Sequence, residues 1–353
     1  MSTTQSKPIW FIFPGLEAYD PSPSVSILTF PPFVKLCSSL KEKTGFNLIE
    51  TITSEGSSPT LATVFATITA LQSSLIIFLK SLGIAPDGFI GYGIGEFAAS
   101  YMDGCYDAET AIILARTIGR KIDDSGFRRG AMALVHQNES EFSSFFSNSG
   151  VYVSAHNTDN CITIAGSQKN VQQVLEKLKM DKIKCSPIAS YSTALHCSQM
   201  DYLKDTAMES LYRLIDSPKP RSNKWVSTTV AVTEDCLRLS CPRYFLRNIT
   251  SPILFREACN ELPSNVIIIE VNYRSILESF VKSNHKAPES IIYLTVPCLD
   301  DMDNNAKITS TGQLFEILDN NNTTSTNDTI GLSSDRLHFL LKGSQSSGVY
   351  EVR

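Results

Sequence analysis

The sequence predicts an α/β protein built around a buried parallel sheet. The first sign is Pro8-Ile-Trp-Phe-Ile-Phe13, an unbroken apolar run that ends at Pro14-Gly15. Such a run is typical of a strand covered on both faces, because a half-exposed strand alternates apolar and polar residues. The second sign is a short strand over residues 87–91, followed by a glycine-rich turn and a helix from Glu96. A strand that leads through a tight turn into a helix is the repeating unit of α/β domains.

A long helix is predicted over residues 61–82, before this second strand. Its apolar residues recur at helical spacing, at Val64, Ile68, Leu71, Leu75 and Phe78. Gly83 then supplies a helix stop. We expect this helix to be well buried.

A different pattern begins at residue 130 and predicts a smaller unit. In order it contains a strand at 131–135, a helix at 139–146, strands at 151–155 and 161–165, a helix at 169–180 and a strand at 183–187. This βαββαβ order is that of ferredoxin-like folds. A helix over 202–215 and apolar strands at 265–270 and 291–296 follow it. The small unit is therefore predicted to be inserted into the larger one.

These patterns divide the chain into three parts. We expect a large α/β subdomain over residues 8–129 and 193–300, and a ferredoxin-like small subdomain over residues 130–192. Residues 301–353 are expected to form a C-terminal linker or tail. Residues 319–328 within it are polar and of low complexity, and cannot bury enough apolar area to offset their ordering entropy. We predict that this tail is partly disordered.

Composition narrows the classes of function. The 353 residues carry a formal net charge of -5, which gives no general attraction to nucleic acid or to an anionic membrane. Residues 1–7 are polar and the apolar run after them is too short for a signal peptide or a membrane span, so a cytoplasmic protein is expected. The nine cysteines form no CxxC pair and have no histidine partners at zinc spacing. We predict reduced thiols and no metal site.

The turn Gly91-Tyr-Gly-Ile-Gly95 admits two chemical interpretations, a dinucleotide-binding turn or a nucleophile elbow. A dinucleotide turn requires GxGxxG and an acidic residue at the end of a strand about twenty residues later. This chain has GxGxG-Glu with a helix through that region. An elbow needs small residues two positions on either side of the nucleophile, as Gly91 and Gly95 supply around position 93. The spacing favours the elbow, although Gly93 stands where a serine is expected.

At this turn the sequence resembles a known family. Gly91-Tyr-Gly-Ile-Gly-Glu96 is similar to the GHSxGE turn of malonyl-CoA and acetyl-CoA acyltransferases. Further motifs agree in order and spacing: Asp103-Gly-Cys105, Gly130-Ala-Met132, Ala155-His-Asn-Thr158, Ile162-Thr-Ile-Ala-Gly166 and Asn248-Ile-Thr-Ser-Pro-Ile-Leu-Phe255. Together they look most like the acyltransferase domain of animal-type fatty acid synthase. The resemblance implies an acyltransferase fold, with a hydrolase-like parallel-sheet large subdomain and the inserted ferredoxin-like subdomain.

The resemblance also implies roles for individual residues. Gly93 occupies the position of the nucleophilic serine, and His196, in the counterpart of the family's AFHS stretch, is the retained base. Backbone N–H groups at Leu16 and Ile94 correspond to the donors of an oxyanion hole. Ile118 stands where malonyl-loading relatives carry the arginine that binds the free carboxylate of the substrate.

Further residues near these positions receive weaker expectations. Asn157, within a shared motif, is a predicted substrate-binding residue. Arg116 and Arg120 lie two residues from position 118, about 200° around the helix, so we expect solvated surface charges there. Cys197 is expected to be a packed, inert thiol, and Tyr92 to serve packing rather than catalysis.

The family reaction passes an acyl group from coenzyme A to the serine and then to the phosphopantetheine thiol of a carrier protein. Neither step has an acceptor atom at Gly93. We therefore expect a catalytically inactive, transacylase-like protein of fatty acid synthesis. It would have no permanently bound cofactor, acyl-CoA or phosphopantetheine as ligand, and an acyl carrier protein or another synthase component as partner. Two alternatives stay open: an active acyltransferase with another nucleophile or a non-malonyl substrate, and a diverged synthase fragment.

Overall fold

The described part of the protein has two main sheets, each packed against helices, and one small two-stranded antiparallel sheet. The computed structural model describes residues 7–20, 25–55, 59–126, 129–230 and 238–296. In chain order the elements are β1 (Ile9–Phe13), α1 (Val25–Thr29), α2 (Pro31–Thr44), α3 (Leu48–Glu55), α4 (Leu61–Ser81), β2 (Gly88–Gly91), α5 (Gly95–Met102), α6 (Ala108–Asp124), β3 (Gly130–Val135), α7 (Glu139–Phe146), β4 (Val151–Thr158), β5 (Cys161–Ser167), α8 (Gln168–Met180), β6 (Cys185–Ile188), α9 (Leu203–Thr206), α10 (Met208–Leu214), β7 (Lys219–Pro220), β8 (Trp225–Val226), β9 (Leu239–Ser240), α11 (Pro242–Thr250), α12 (Phe255–Cys259), β10 (Ile267–Glu270), α13 (Glu278–Asn284) and β11 (Ile292–Thr295). The predicted tail over residues 301–353 lies outside the described residues.

The larger sheet has five parallel strands in the order β11-β10-β1-β2-β8. Its central strand, β1, is buried on both faces. Phe11 and Phe13 belong to the main core, with residues of α2, α4 and α6, whereas Trp10 and Ile12 pack into a second core with residues of α12 and α13. The unbroken apolar run of β1 is thus explained by helices on both sides of the sheet.

The long helix α4 is buried almost all round. It is the one helix of the described residues with the length and hydropathy to cross a membrane, and 89% of that window is buried inside the protein. Its position in the core accounts for its composition. The side chain of Thr60 caps its N-terminus by accepting a hydrogen bond from the N–H of Thr63.

The smaller sheet has four antiparallel strands in the order β4-β5-β3-β6. Helices α7 and α8 pack on one face of it, with Phe142, Val171 and Leu178 in a separate core. This arrangement confirms the predicted ferredoxin-like unit. Its elements lie within residues 130–192, although the boundaries drawn for the subdomains stay a prediction.

Backbone hydrogen bonds join the small sheet to the segment that precedes α12. The N–H of His156 donates to Ile253 O, and the N–H of Ile253 donates to Ser154 O, both at 2.9 Å. These bonds attach β4 to the segment that leads into α12. The small sheet is therefore held against the carboxyl ends of β1 and β2, where the glycine-rich turn lies.

The sequence predicted one continuous helix over residues 202–215, and this prediction is wrong. The segment forms two short helices, α9 and α10, after a 3-10 turn at Ser198–Met200. The junction is Ala207, whose φ of -104° departs from helical values. No glycine or proline marks this break, so the sequence pattern could not reveal it.

We predict that the turn between β2 and α5 tolerates no side chain at Gly95. A Cβ there would lie 2.0 Å from the carbonyl oxygen of Phe13, inside the central strand. Gly95→Ala should lower the free energy of unfolding by about 3 kcal/mol or more, because backbone must move. Gly104→Ala is the control, since Gly104 has a φ of +74° and nothing within 4 Å of an added Cβ. It should cost only about 1–2 kcal/mol of backbone strain. Equal losses in urea unfolding would contradict this explanation.

Candidate active site

The turn from Gly91 to Gly95 has the geometry of a nucleophile elbow. Its central residue, Gly93, has a φ of +54°. A Cβ at Gly91 would lie 2.7 Å from the backbone nitrogen of Glu96, so both flanking positions must be small. The N–H of Tyr92 donates to Phe13 O at 2.8 Å, which fixes the turn to the end of β1. Position 93 is thereby presented at the carboxyl edge of the parallel sheet.

His196 faces this turn as a neutral base. Its Nδ1 lies 2.6 Å from the carbonyl oxygen of Asn248. Because a carbonyl can only accept, Nδ1 carries the proton and Nε2 keeps its lone pair. A Cβ added at Gly93 would lie 3.1 Å from that Nε2. Burial lowers the pKa of His196 to about 4, so the ring is uncharged at neutral pH.

The space between the turn and the histidine is small. The cavity has room for about one water molecule. It lies between the two sheets, because its walls come from both. The residues that line it are Gly15, Leu16, Glu17, Tyr92, Gly93, Met132, Ala155, Thr163, Ile188, Leu195, His196 and Ile253.

The structure brings three of the predicted site residues together. Leu16, Gly93 and His196 line the same cavity. Ile94 is buried directly after Gly93 and is the N-cap of α5, and Leu16 opens a 3-10 turn. The N–H groups at these two positions have no acceptor within their own helices. Their predicted role as oxyanion donors stays a prediction, and Ile94 is not among the residues that line the cavity.

Asn157 lies one layer behind the cavity. Its Oδ1 accepts a hydrogen bond from the Tyr92 hydroxyl at 2.8 Å, and its Nδ2 donates to Thr163 Oγ1 at 2.9 Å. The ring of Tyr92 also packs edge-on against Phe255 at 5.2 Å between centroids. Asn157 therefore orients a residue of the cavity wall and does not itself line the cavity.

Position 118 does not contribute to the cavity either. Ile118 is fully buried on α6 within the main core. Arg116 stacks on the Phe46 ring at 3.9 Å, and Arg120 pairs with Asp124 at 3.7 Å on the exposed face. Neither guanidinium group lines the cavity that Gly93 and His196 share. Arg116 differs from the expected solvated charge because its guanidinium group stacks on an aromatic ring.

A buried carboxyl group holds the elbow in place. Glu96 accepts hydrogen bonds from Trp225 Nε1 at 2.6 Å, from the N–H of Thr228 at 2.6 Å and from the Tyr244 hydroxyl at 2.8 Å. The hydroxyl of Thr228 donates to Gly91 O at 2.6 Å. Burial raises the pKa of Glu96, while the hydrogen bonds and Arg221 act in the opposite direction.

Sequence reasoning missed Glu17. This residue lines the cavity, and its Oε2 is buried without a hydrogen-bond partner among the described residues. Burial raises the pKa of its carboxyl group. The available signal was an acidic residue next to Leu16, in the loop expected to supply an oxyanion donor.

Cys197, next to the histidine, has the environment of an inert thiol. It is buried, its Sγ donates to Ala194 O, and burial raises its pKa to about 11. A reactive cysteine requires a lowered pKa and access to solvent. Within the described residues, no group of three or more His, Cys, Asp or Glu side chains is placed to hold a metal ion.

A strand–elbow–helix turn, a histidine aimed at its apex and an inserted ferredoxin-like unit define a protein of the acyl-transfer class. A family model for the acyl transferase domain matches residues 33–316. The chain belongs to this family.

Curated relatives are large synthases. Probable polyketide synthase 23 from Dictyostelium discoideum is 27% identical over 287 residues, which cover 76% of this chain and 11% of that protein. The highly reducing polyketide synthase resH from Aspergillus sclerotiorum is 26% identical over 239 residues, 64% of this chain and 9% of that protein. The chain thus spans about a tenth of the length of these relatives. They are polyketide synthases rather than fatty acid synthases, so the expected assignment to fatty acid synthesis stays a prediction.

Solved structures confirm the acyltransferase fold. The acyltransferase domain from the second module of the salinomycin polyketide synthase matches with a TM-score of 0.75 and 21% identity, over 88% of this chain and 74% of that one. FabD from Acinetobacter baumannii matches with a TM-score of 0.73 and 18% identity, over 89% of this chain and 99% of that one.

The buried histidine predicts an acid-sensitive site. The pKa of His196 falls from about 6.5 when unfolded to about 4 when folded, so the unfolded chain binds the proton first as pH falls. Stability contributed by the neutral ring is therefore complete above pH 6.5 and is lost as pH falls towards 4. The loss should be about 3 kcal/mol. His196→Asn is the matched control, because asparagine tolerates the φ of +58° at this position. If urea unfolding of the two proteins changes in parallel between pH 7 and pH 4, the prediction is wrong.

Proposed function

We propose that this chain is an acyltransferase-type domain that binds acyl-CoA or a phosphopantetheine arm without forming an acyl-enzyme. The observation that carries the proposal is Gly93. It leaves no nucleophilic atom at the apex of the elbow, although the Nε2 of His196 is held where it would receive a serine proton. A ping-pong transfer has no covalent intermediate without that atom.

The neighbouring groups do not replace the serine. The Cys197 thiol is buried and its pKa is raised to about 11, which leaves very little thiolate at neutral pH. This geometry speaks against an active acyltransferase that uses the adjacent cysteine. With Ile118 in the core and both nearby arginines elsewhere, no cation of this helix lines the cavity to bind a malonyl carboxylate.

The similarity to one stretch of much longer synthases supports the alternative that the domain is a diverged synthase copy. The two statements are compatible, since a diverged copy can keep a carrier-binding surface after losing transfer. We place the partner among acyl carrier proteins or other components of a fatty acid or polyketide synthase. A cytoplasmic location follows from that partnership.

The test is acyl loading, followed by intact mass spectrometry and by transfer from labelled acyl-CoA to a carrier protein. The wild-type protein should give no acyl adduct and no transfer. Gly93→Ser should gain an adduct, because its hydroxyl would stand next to the oriented His196. Gly93→Ala is the matched control, since it adds the same Cβ at the same φ of +54° without the hydroxyl. Both variants should lose about 1–3 kcal/mol of stability through backbone strain.

A stable adduct on the wild-type protein at saturating malonyl-CoA or acetyl-CoA contradicts the proposal. So does wild-type transfer to the carrier protein. Equal melting temperatures of Gly93→Ala and the wild type contradict the strain that is assigned to the turn.

A further inference from the structure

Two carboxylates from different parts of the molecule face one histidine ring. His156 Nε2 lies 3.4 Å from Glu139 Oε2, and its Nδ1 lies 3.1 Å from Glu257 Oε1. Glu139 belongs to α7 in the small subdomain, whereas Glu257 belongs to α12, which packs on the large sheet. The ring is mostly buried, with 15% of the side chain exposed. His156 therefore connects the two parts of the molecule that form the walls of the cavity.

Only the charged form of His156 satisfies both carboxylates. An imidazolium ring donates from both nitrogens, but a neutral ring donates from one and keeps a lone pair on the other. That lone pair faces a carboxylate, which repels it. Loss of one proton thus replaces two ion pairs with one hydrogen bond and one unfavourable contact. Histidine side chains commonly lose this proton between pH 5 and pH 8.

The groups next to these carboxylates keep their charge through that range. Arg256 pairs with Glu257 at 2.5 Å and with Asp159 at 3.6 Å. Arginine and aspartate side chains are charged at neutral pH. Burial by itself raises the pKa of Glu257, but hydrogen bonds from His156, from its own backbone and from Arg256 outweigh burial and lower the pKa to about 2. Glu257 is therefore a carboxylate at both ends of the range.

Further ionisable side chains lie on the helices beside β4. Cys259 on α12 keeps a neutral thiol, because burial raises its pKa to about 12. Lys282 and Glu278 on α13 pair with each other at 2.6 Å. His156 is thus the member of this network whose charge changes near neutral pH.

The ring lies where β4 meets the segment that precedes α12, a contact that we call the β4 junction. The N–H of His156 donates to Ile253 O, and the N–H of Ile253 donates to Ser154 O, both at 2.9 Å. Ala155, between the two β4 residues of this contact, lines the cavity, and so does Ile253. Separation at the β4 junction therefore moves one wall of the cavity away from the other.

The cavity has to widen before it can take a ligand. It has room for about one water molecule, and a pantetheine arm is much larger. Binding of such an arm requires a state in which the walls stand further apart. In a two-state equilibrium, the apparent affinity falls in proportion to the fraction of molecules in the binding-competent state. A group that stabilises the closed β4 junction therefore weakens binding.

We propose that the charged ring of His156 holds the β4 junction closed, and that loss of its proton opens the cavity to a pantetheine arm. His156 is a positioning residue, because it acts on the cavity through Ala155 and Ile253. The inference rests on the proposed function for the ligand and adds regulation by pH. The stabilisation is present while the ring is charged and is lost as pH rises. This sign is opposite to that of His196, whose buried neutral ring loses stability in acid.

The experiment measures amide hydrogen exchange at the β4 junction at pH 6 and pH 8. The results are expressed as protection factors, which remove the intrinsic effect of pH on exchange. The N–H groups of His156 and Ile253 should lose about five-fold in protection at pH 8, the upper range for partly exposed ion pairs. The N–H of Val271, which donates to Ile12 O at 2.8 Å within the large sheet, is the internal reference and should keep its protection.

Binding is measured on the same protein with S-acetylpantetheine, which carries no group that ionises between pH 6 and pH 8. Its affinity should be about five-fold higher at pH 8, because the open fraction rises by the same factor as the protection falls. The two measurements therefore test one equilibrium by independent means.

Three variants identify the contacts that are responsible. His156→Gln has no proton to lose in this range, so protection and affinity should be the same at both pH values. Glu139→Gln should keep the pH 6 protection at pH 8, because its amide can donate to the neutral ring. Glu141→Gln is the matched control, since Glu141 is exposed on the same helix, and it should leave both pH profiles unchanged.

The outcomes separate this inference from the proposed function. Equal protection of the β4 junction at pH 6 and pH 8 in the wild-type protein overturns the inference. So does a pH dependence that persists in His156→Gln, or one that disappears in Glu141→Gln. Affinity that ignores pH while protection changes overturns the control of the cavity by the junction. Failure of S-acetylpantetheine to bind at either pH contradicts the proposed function instead, and the protection factors still decide whether His156 closes the junction.

Discussion

The buried carboxyl group of Glu96 sets the geometry on which the site depends. It lies in the first turn of α5 and binds Trp225 and Thr228 beside the edge strand β8. It also binds the Tyr244 hydroxyl on α11. One turn further along that helix, the carbonyl oxygen of Asn248 holds His196. The hydrogen bond between Glu96 and Tyr244 thus links the elbow to the helix that orients the base. The side chain of residue 93 has no part in this link, so its loss leaves the histidine in place.

This arrangement explains which parts of the molecule the sequence could predict. The unbroken run of β1 and the order of elements in the small subdomain are local patterns, and local patterns report burial directly. The spacing of Gly91 and Gly95 likewise reflects a close backbone approach that any sequence with this turn must respect. The position of His196 could be named through family resemblance alone, since Asn248, its partner, is 52 residues away in the sequence.

Other features lay beyond sequence reasoning for physical reasons. No helix-breaking residue marks the break at Ala207. Glu17 lines a cavity between the two sheets, and a single acidic residue in the sequence does not reveal that position. Arg116 could be placed on its helix face from the sequence. Phe46, the ring on which it stacks, lies in the connection between α2 and α3. Glu17 and Arg116 each depend on contacts with residues far away in the sequence.

Glu17 affects the stability of the protein in the opposite direction from Gly93 and Ile118. Glycine at position 93 relieves the strain that a side chain would have at a φ of +54°, and Ile118 fills the core with apolar volume. Both residues favour folding. Glu17 acts in the opposite direction, because its buried Oε2 has no hydrogen-bond partner within the described part of the chain and its carboxyl group is desolvated. Residues that lower stability and gain no compensating contact are typical of functional sites. The unpaired carboxyl oxygen of Glu17 therefore costs stability at the wall of the cavity that His196 also lines.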